Sequence, residues 1–208
     1  MKLIDQAWQY IDLPHTPLKL IERIGRTCYK SEDRITSESA EKFVKSILDS
    51  GHESVIEHSS VSVRFITNRG VTHELVRHRL CAFSQESTRY VRYSGSMEFI
   101  RPVWYGQDKT ADSIFESACR QAEWNYEDLL ERGWRPEQAR EVLPNSLKTE
   151  ICVTANMREW RHILKLRTSK RAHPQMRALM KDCLDGFHMT FPVLFDDLWL
   201  KLFENEPA

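Results

Sequence analysis

The stretch 77–90 gathers Arg77, His78, Arg79 and Arg89 with the hydroxyls of Ser84, Ser87 and Thr88 and the ring of Tyr90, and no acidic block matches them. Arg77, His78 and Arg79 place three donors on consecutive residues at the expected end of a short helix over 68–77. Consecutive helical residues point about 100° apart, so these three are expected to fan outward. Such a fan suits an anion gripped from several sides, such as a dinucleotide or a nucleotide phosphate. Arg is the side chain for that work, because its planar fork pairs two oxygens at once and keeps its charge. The plainer reading is a solvated basic helix end that complements the helix dipole. Residues 84–90 count against it, since nothing apolar there would order the segment by packing.

Bulk properties fit a soluble enzyme. A chain of 208 residues with 41% apolar content can bury a sizeable core. Lys+Arg equals Asp+Glu at 30 each, which argues against a nucleic-acid binder and leaves the basic clusters to serve local anions. Five cysteines, at 28, 81, 119, 152 and 183, are scattered and odd in number, so they read as free thiols of a reducing compartment. No apolar run is long enough to span a bilayer and no signal-peptide pattern opens the chain, so the expected location is the cytoplasm, with no membrane partner.

The elements that must position these residues follow from periodicity. Thr16 and Pro17 open a helix, and Ser39 to Ser50 forms another that stops at Gly51. Val61, Val63 and Phe65 alternate with polar residues as a strand. Residues 96–100 suggest a further strand, 112–132 a long helix closed by Gly133, and 136–143 a helix stopped by Pro144. Lys148 to Ala155 reads as a strand, then Asn156 and a helix to about Leu166. Helices fill the remainder, with a break at Pro192. Few strands among many helices predict an α+β fold: a central, mostly antiparallel sheet flanked by helices, in one domain over 1–208.

Several familiar chemistries are missing. The chain has no G-x-G-x-x-G and no Walker A loop, so side chains must hold any dinucleotide. His73 and His78 are five residues apart, too far round a helix to share a metal, and no metal site is expected. Ser87 has no partner in sequence for a charge relay. Other positions carry two readings. His52 sits at a turn, where a lone His is most often a bystander. Arg140 reads as a salt-bridge partner at a helix end. Asn156 is a good N-cap, and the same place offers backbone N–H groups to an anion. Arg167 either caps its helix or reaches a ligand.

Arg-His-Arg followed by seven residues and then Ser87 resembles the signature of the flavin-dependent thymidylate synthase family, and the likeness extends through most of the chain. The resemblance implies methylation of dUMP to dTMP at C5, with 5,10-methylenetetrahydrofolate giving the carbon and FAD, reduced by NADPH, giving the hydride. It implies that Arg77, His78, Arg79 and Gln85 hold the flavin, together with His52 and Ser54 of the Gly-His-Glu turn. Asn156 and Arg158 of the Asn-x-Arg motif join them, as does His162 one turn on. Glu74, Arg77, Glu86, Ser87, Thr88, Arg89, Arg140 and Arg167 would bind the nucleotide. Arg167 would be catalytic, stabilising the charge that builds on N3 and O4 as C5 becomes nucleophilic. A homotetramer with active sites shared between subunits is also implied.

The chain departs from the family pattern in two places. Ser84-Gln85 stands where many members have Asn-Glu, which turns an acidic flavin contact into an amide. Cys28 stands near a cofactor-touching Ser of some relatives. Two rival readings remain: a non-catalytic nucleotide-binding or regulatory protein that keeps the Arg/Ser pocket without flavin, and an RNA-binding module using 89–93, which the zero net charge opposes.

Overall fold

The computed structural model describes residues 1–203. It confirms the α+β class, with a four-stranded antiparallel sheet flanked by helices. In chain order the elements are β1 (Lys2–Ile4), β2 (Ala7–Asp12), α1 (Pro17–Thr27), α2 (Ser39–Asp49), β3 (Ser60–Asn68), α3 (Arg69–Leu75), β4 (Ala82–Gln85), β5 (Glu98–Ile100), α4 (Lys109–Glu131), α5 (Pro136–Ala139), β6 (Lys148–Asn156), α6 (Met157–Arg167), α7 (Pro174–Thr190) and α8 (Pro192–Phe203). Short 3-10 turns cover Glu32–Arg34, Glu53–His58 and Arg140–Val142. The larger sheet has the order β2-β3-β6-β4, and β1 pairs in parallel with β5 in a separate two-stranded sheet.

The central strands form where expected because β-branched and aromatic residues recur every second position. In β3, Val61, Val63, Phe65 and Thr67 are buried, while in β6 it is Thr149, Ile151, Val153 and Ala155. The described residues divide into two compact units, one of residues 1–9, 64–77 and 83–152, the other of 10–63, 78–82 and 153–203. In the first, Met97, Phe99, Cys119, Tyr126, Ala139 and Leu147 form the core, with Leu3, Phe115 and Leu143 packed against them. In the second, Phe187 sits among Trp160 and Phe195, with ring centroids 5.1 and 5.0 Å away. Trp160 is fully buried and donates its indole N–H to the Val61 carbonyl at 3.0 Å, so its one polar atom is satisfied. Gly25 lets α1 approach α2, since a Cβ there would meet the Phe43 ring at 2.7 Å.

Several boundaries differ from the sequence expectation. The helix expected over 68–77 ends at Leu75, so Arg77, His78 and Arg79 lie in the turns beyond it and their side chains are not arranged by helical geometry. Helix α4 starts earlier than residue 112, because the Asp108 carboxylate accepts from the N–H groups of Thr110 and Ala111. The helix expected over 136–143 is one α turn followed by a 3-10 turn. Strands β1, β2 and β4 have no counterpart in the sequence reading. Gly51, with φ of +71°, and Gly133, with φ of +90°, do end their helices.

Candidate active site

The unit containing 153–203 holds most of the residues expected to meet the flavin. Strand β6 passes into α6 at Asn156, whose side chain accepts from the Glu159 N–H at 2.9 Å and caps the helix. Asn156, Arg158 and His162 then line a cavity of about 810 Å³ with Glu159, Arg161 and Lys165. Its cations are partly committed. Arg158 pairs with Glu57 and approaches Glu53 at 3.9 Å, and Arg161 makes a fork on Asp197 with two bonds of 2.7 Å. Arg161 also donates to the Leu194 carbonyl, which ties α6 to α8. His52 and Ser54 do not join this cavity. They line a separate one of about 340 Å³ with Gly25, Cys28, Tyr29 and Phe43. His52 owes its place to Gly51: the left-handed turn lets the Gly51 and His52 N–H groups cap the Leu48 and Ile47 carbonyls at 3.0 Å each.

The end of α6 places Arg167 against His78. The Arg167 Nε–H donates to His78 Nε2 at 3.0 Å, and His78 Nδ1 faces Glu159 Oε1 at 3.4 Å. His78 and Glu159 are buried, whereas Arg79 and His162 are exposed. The His162 ring meets His78 edge-on with centroids 5.6 Å apart. Burial pushes the Glu159 carboxyl above the usual carboxylate range, with His162 acting in the opposite sense. Cys81 belongs to the same unit. Burial, aided by Glu159, raises its thiol to about 12. Cys119 and Cys183 are also pushed up by burial. A thiol held near 12 is uncharged at neutral pH and a poor nucleophile. Cys81→Ala is therefore expected to leave turnover within about twofold of wild type. A steady-state assay checks this, and lost turnover with normal folding and flavin content would point to a covalent thiol.

The unit containing 83–152 holds most of the residues expected to meet the nucleotide. Ser87 and Thr88 follow β4 in a turn, with the Ser87 Oγ accepting from the Arg89 N–H at 3.3 Å. Arg140, at the start of a 3-10 turn, donates to Thr88 Oγ1 at 3.3 Å and so reaches the same turn. It also lies 3.5 Å from Glu141, so a salt-bridge contact is present as well. Arg89 is exposed, stacks over the Tyr90 ring at 5.3 Å and lies 3.6 Å from Glu137. Ser87, Thr88, Arg89 and Arg140 thus gather two guanidinium groups and two hydroxyls. Glu86 is held by Tyr93 Oη at 2.6 Å and by Lys148 Nζ at 3.3 Å. Burial works to raise the neighbouring Glu150 carboxyl, but hydrogen bonds from Lys148 and Arg64 outweigh it and hold it below the usual range. Gln85 turns its amide inward, donating to Thr72 at 3.0 Å and Thr149 at 3.2 Å. Arg77 is exposed and Glu74 half-buried in this unit.

Residues 9–193 match the family model described as thymidylate synthase complementing protein. A flavin-dependent thymidylate synthase of Mycolicibacterium vanbaalenii is 38% identical over 197 residues, covering 86% of this chain and 78% of that protein. The chain belongs to the flavin-dependent thymidylate synthase family. Its relative from Corynebacterium aurimucosum, of the same description, is 34% identical with the same coverage of both chains. Among solved structures, a UMP/dUMP methylase from Streptomyces cacaoi bound with 5-Br dUMP superposes with a TM-score of 0.79 at 25% identity, covering 94% of this chain and 96% of that one.

Two groups of side chains beside these family motifs were not singled out by the sequence reading. Glu159 and Arg161 sit in the first turns of α6 between Arg158 and His162. A first-turn Glu reads as a partner of the helix dipole, and that ordinary role hides the contact with His78. Tyr93, Lys148, Glu150 and Arg64 surround Glu86 from distant parts of the chain, so no local spacing marks them.

Proposed function

We propose that this protein, like the family to which it belongs, methylates dUMP at C5 to give dTMP, with 1–208 acting as one catalytic domain. The observation that carries the proposal is Arg167: the end of α6 presents a fixed guanidinium, held through Nε by His78. C5 of uracil is a poor nucleophile until negative charge builds on N3 and O4. A fixed guanidinium aimed at those atoms stabilises that charge where water is excluded, and preorganised charges contribute most there. Ser87, Thr88, Arg89 and Arg140 grip the substrate phosphate, with Glu86, Glu74 and Arg77 completing the nucleotide set. Arg89 exchanges its contact with Glu137 for that phosphate.

The residues present fit FAD. Lys165, and Arg158 once it leaves Glu53 and Glu57, offer positive charge to a pyrophosphate beside the carboxylates of Glu53, Glu57, Glu159 and Asp197, and about 810 Å³ is room for a large part of a dinucleotide. Asn156, Arg158 and His162 would hold the cofactor there, with His78 and Arg79 of the same unit. Arg77, Gln85, His52 and Ser54 are the further flavin contacts the family motifs imply, and Gln85 would have to release Thr72 and Thr149 to make one. FAD, once reduced by NADPH, would supply the hydride, and 5,10-methylenetetrahydrofolate the carbon. The chain orients these partners and excludes water. In one subunit His52 and Ser54 line a different cavity from Asn156, as expected if they serve a site completed by another subunit of a homotetramer. No helix among the described residues is long and apolar enough to cross a membrane, and the five cysteines are free. Both facts support a cytoplasmic enzyme acting on small molecules.

The visible spectrum of the purified protein tests the cofactor. A yellow protein that releases FAD on denaturation is expected. Colourless, folded protein that gains no flavin on incubation with FAD, yet binds dUMP, would favour a regulatory nucleotide-binding role.

A further inference from the structure

We infer that Glu159 is a positioning residue for this reaction: through His78 it fixes the orientation of Arg167. The inference rests on the assignment of Arg167 to the uracil ring. Arg167 stays protonated, so its Nε has only a hydrogen to offer. His78 Nε2, 3.0 Å away, must therefore present a lone pair. The proton of the neutral ring is then on Nδ1, the nitrogen that faces Glu159 Oε1 at 3.4 Å. A carboxylate there favours that tautomer, because it attracts an Nδ1–H and repels an Nδ1 lone pair. His78 is 6% and Glu159 7% exposed, so water competes little with either contact.

The three groups form a line of charge, with a carboxylate and a guanidinium bridged by a neutral imidazole. The logic is that of a carboxylate that orients a metal-bound histidine, with the guanidinium in place of the metal. His78, Glu159 and His162 also lie close enough together to hold a cation, with ligand atoms within 4.8 Å of one another. Arg167 makes that occupant unfavourable, since it takes the Nε2 lone pair and sets a positive charge beside it. His162 is exposed and its ring meets the His78 ring edge-on, so the buried Glu159 carboxylate facing Nδ1 is the better placed to set the tautomer.

The experiment compares full-length, flavin-loaded wild type with Glu159→Gln and Glu159→Leu. Nitrogen-15 NMR of histidine-labelled protein reads the tautomer, with His78 assigned by the signal lost in His78→Gln. Wild type should show His78 neutral with its proton on Nδ1. Glu159→Leu should lose that tautomer and lower kcat for dTMP formation roughly 10- to 100-fold, the scale of a small misplacement of a reacting group. KM for dUMP should change little, because the phosphate grip lies elsewhere. Glu159→Gln keeps an oxygen that can accept from Nδ1–H and should recover most of kcat and the tautomer. An unchanged His78 tautomer in Glu159→Leu would overturn the inference. So would equal loss in both variants, or a kcat that neither variant alters. If wild type makes no dTMP, the functional reading fails, and the tautomer comparison alone still decides whether Glu159 orients His78.

Discussion

Arg167→Ala is expected to lower dTMP formation roughly 10³-fold, the upper range for removing one preorganised donor from a developing anion. Flavin content should stay at the wild-type level, because Asn156, Arg158 and His162 line the cavity independently of Arg167. The measurement is turnover by single-product assay alongside the flavin-to-protein ratio. Loss of flavin together with activity would mean that Arg167 holds the cofactor. Turnover at the wild-type rate would remove it from the chemistry.

Arg89→Ala is expected to raise KM for dUMP roughly tenfold, as loss of a solvent-accessible charge-assisted phosphate contact would. Flavin reduction by NADPH without nucleotide should persist. Unchanged nucleotide affinity in Arg89→Ala would exclude the phosphate assignment. The same two variants also probe the proposed assembly. If Arg167 and Arg89 of one site come from different subunits, refolding the two variants together should restore about a quarter of the sites by random mixing, read as turnover at dUMP well below the KM of Arg89→Ala, where that variant alone contributes little. Mixed tetramers without recovered activity would place both residues in one chain.

The central elements of the fold were legible because their burial follows a period. β3 and β6 alternate cleanly, and α2 and α4 end at glycines with positive φ. Among the missed strands β2 does alternate, at Trp8 and Tyr10, over a short span, whereas β1 and β4 lacked such a signal. β1 is Lys2–Ile4, too short to show a period, and it is ordered by pairing with β5 from nearly a hundred residues away. β4 lies inside a segment whose residue types pointed to a ligand. Arg77 to Arg79 show the same limit from the other side. Their types suggested a phosphate or dinucleotide grip, but the helix expected to fan them out ends at Leu75. What distinguishes buried His78 from exposed Arg77 and Arg79 is its packing against α6, a non-local contact. The Asn156 cap was readable because it is local, while the Glu86 cluster with Tyr93, Lys148 and Glu150 was not.

The most direct test is turnover itself. Purified protein with bound FAD is supplied with dUMP, 5,10-methylenetetrahydrofolate and NADPH, and the nucleotide product is separated and identified. Many turnovers of dTMP per enzyme are expected, dependent on all three substrates. Flavin-loaded protein that binds dUMP and oxidises NADPH but forms no dTMP would exclude methylation of dUMP as its activity.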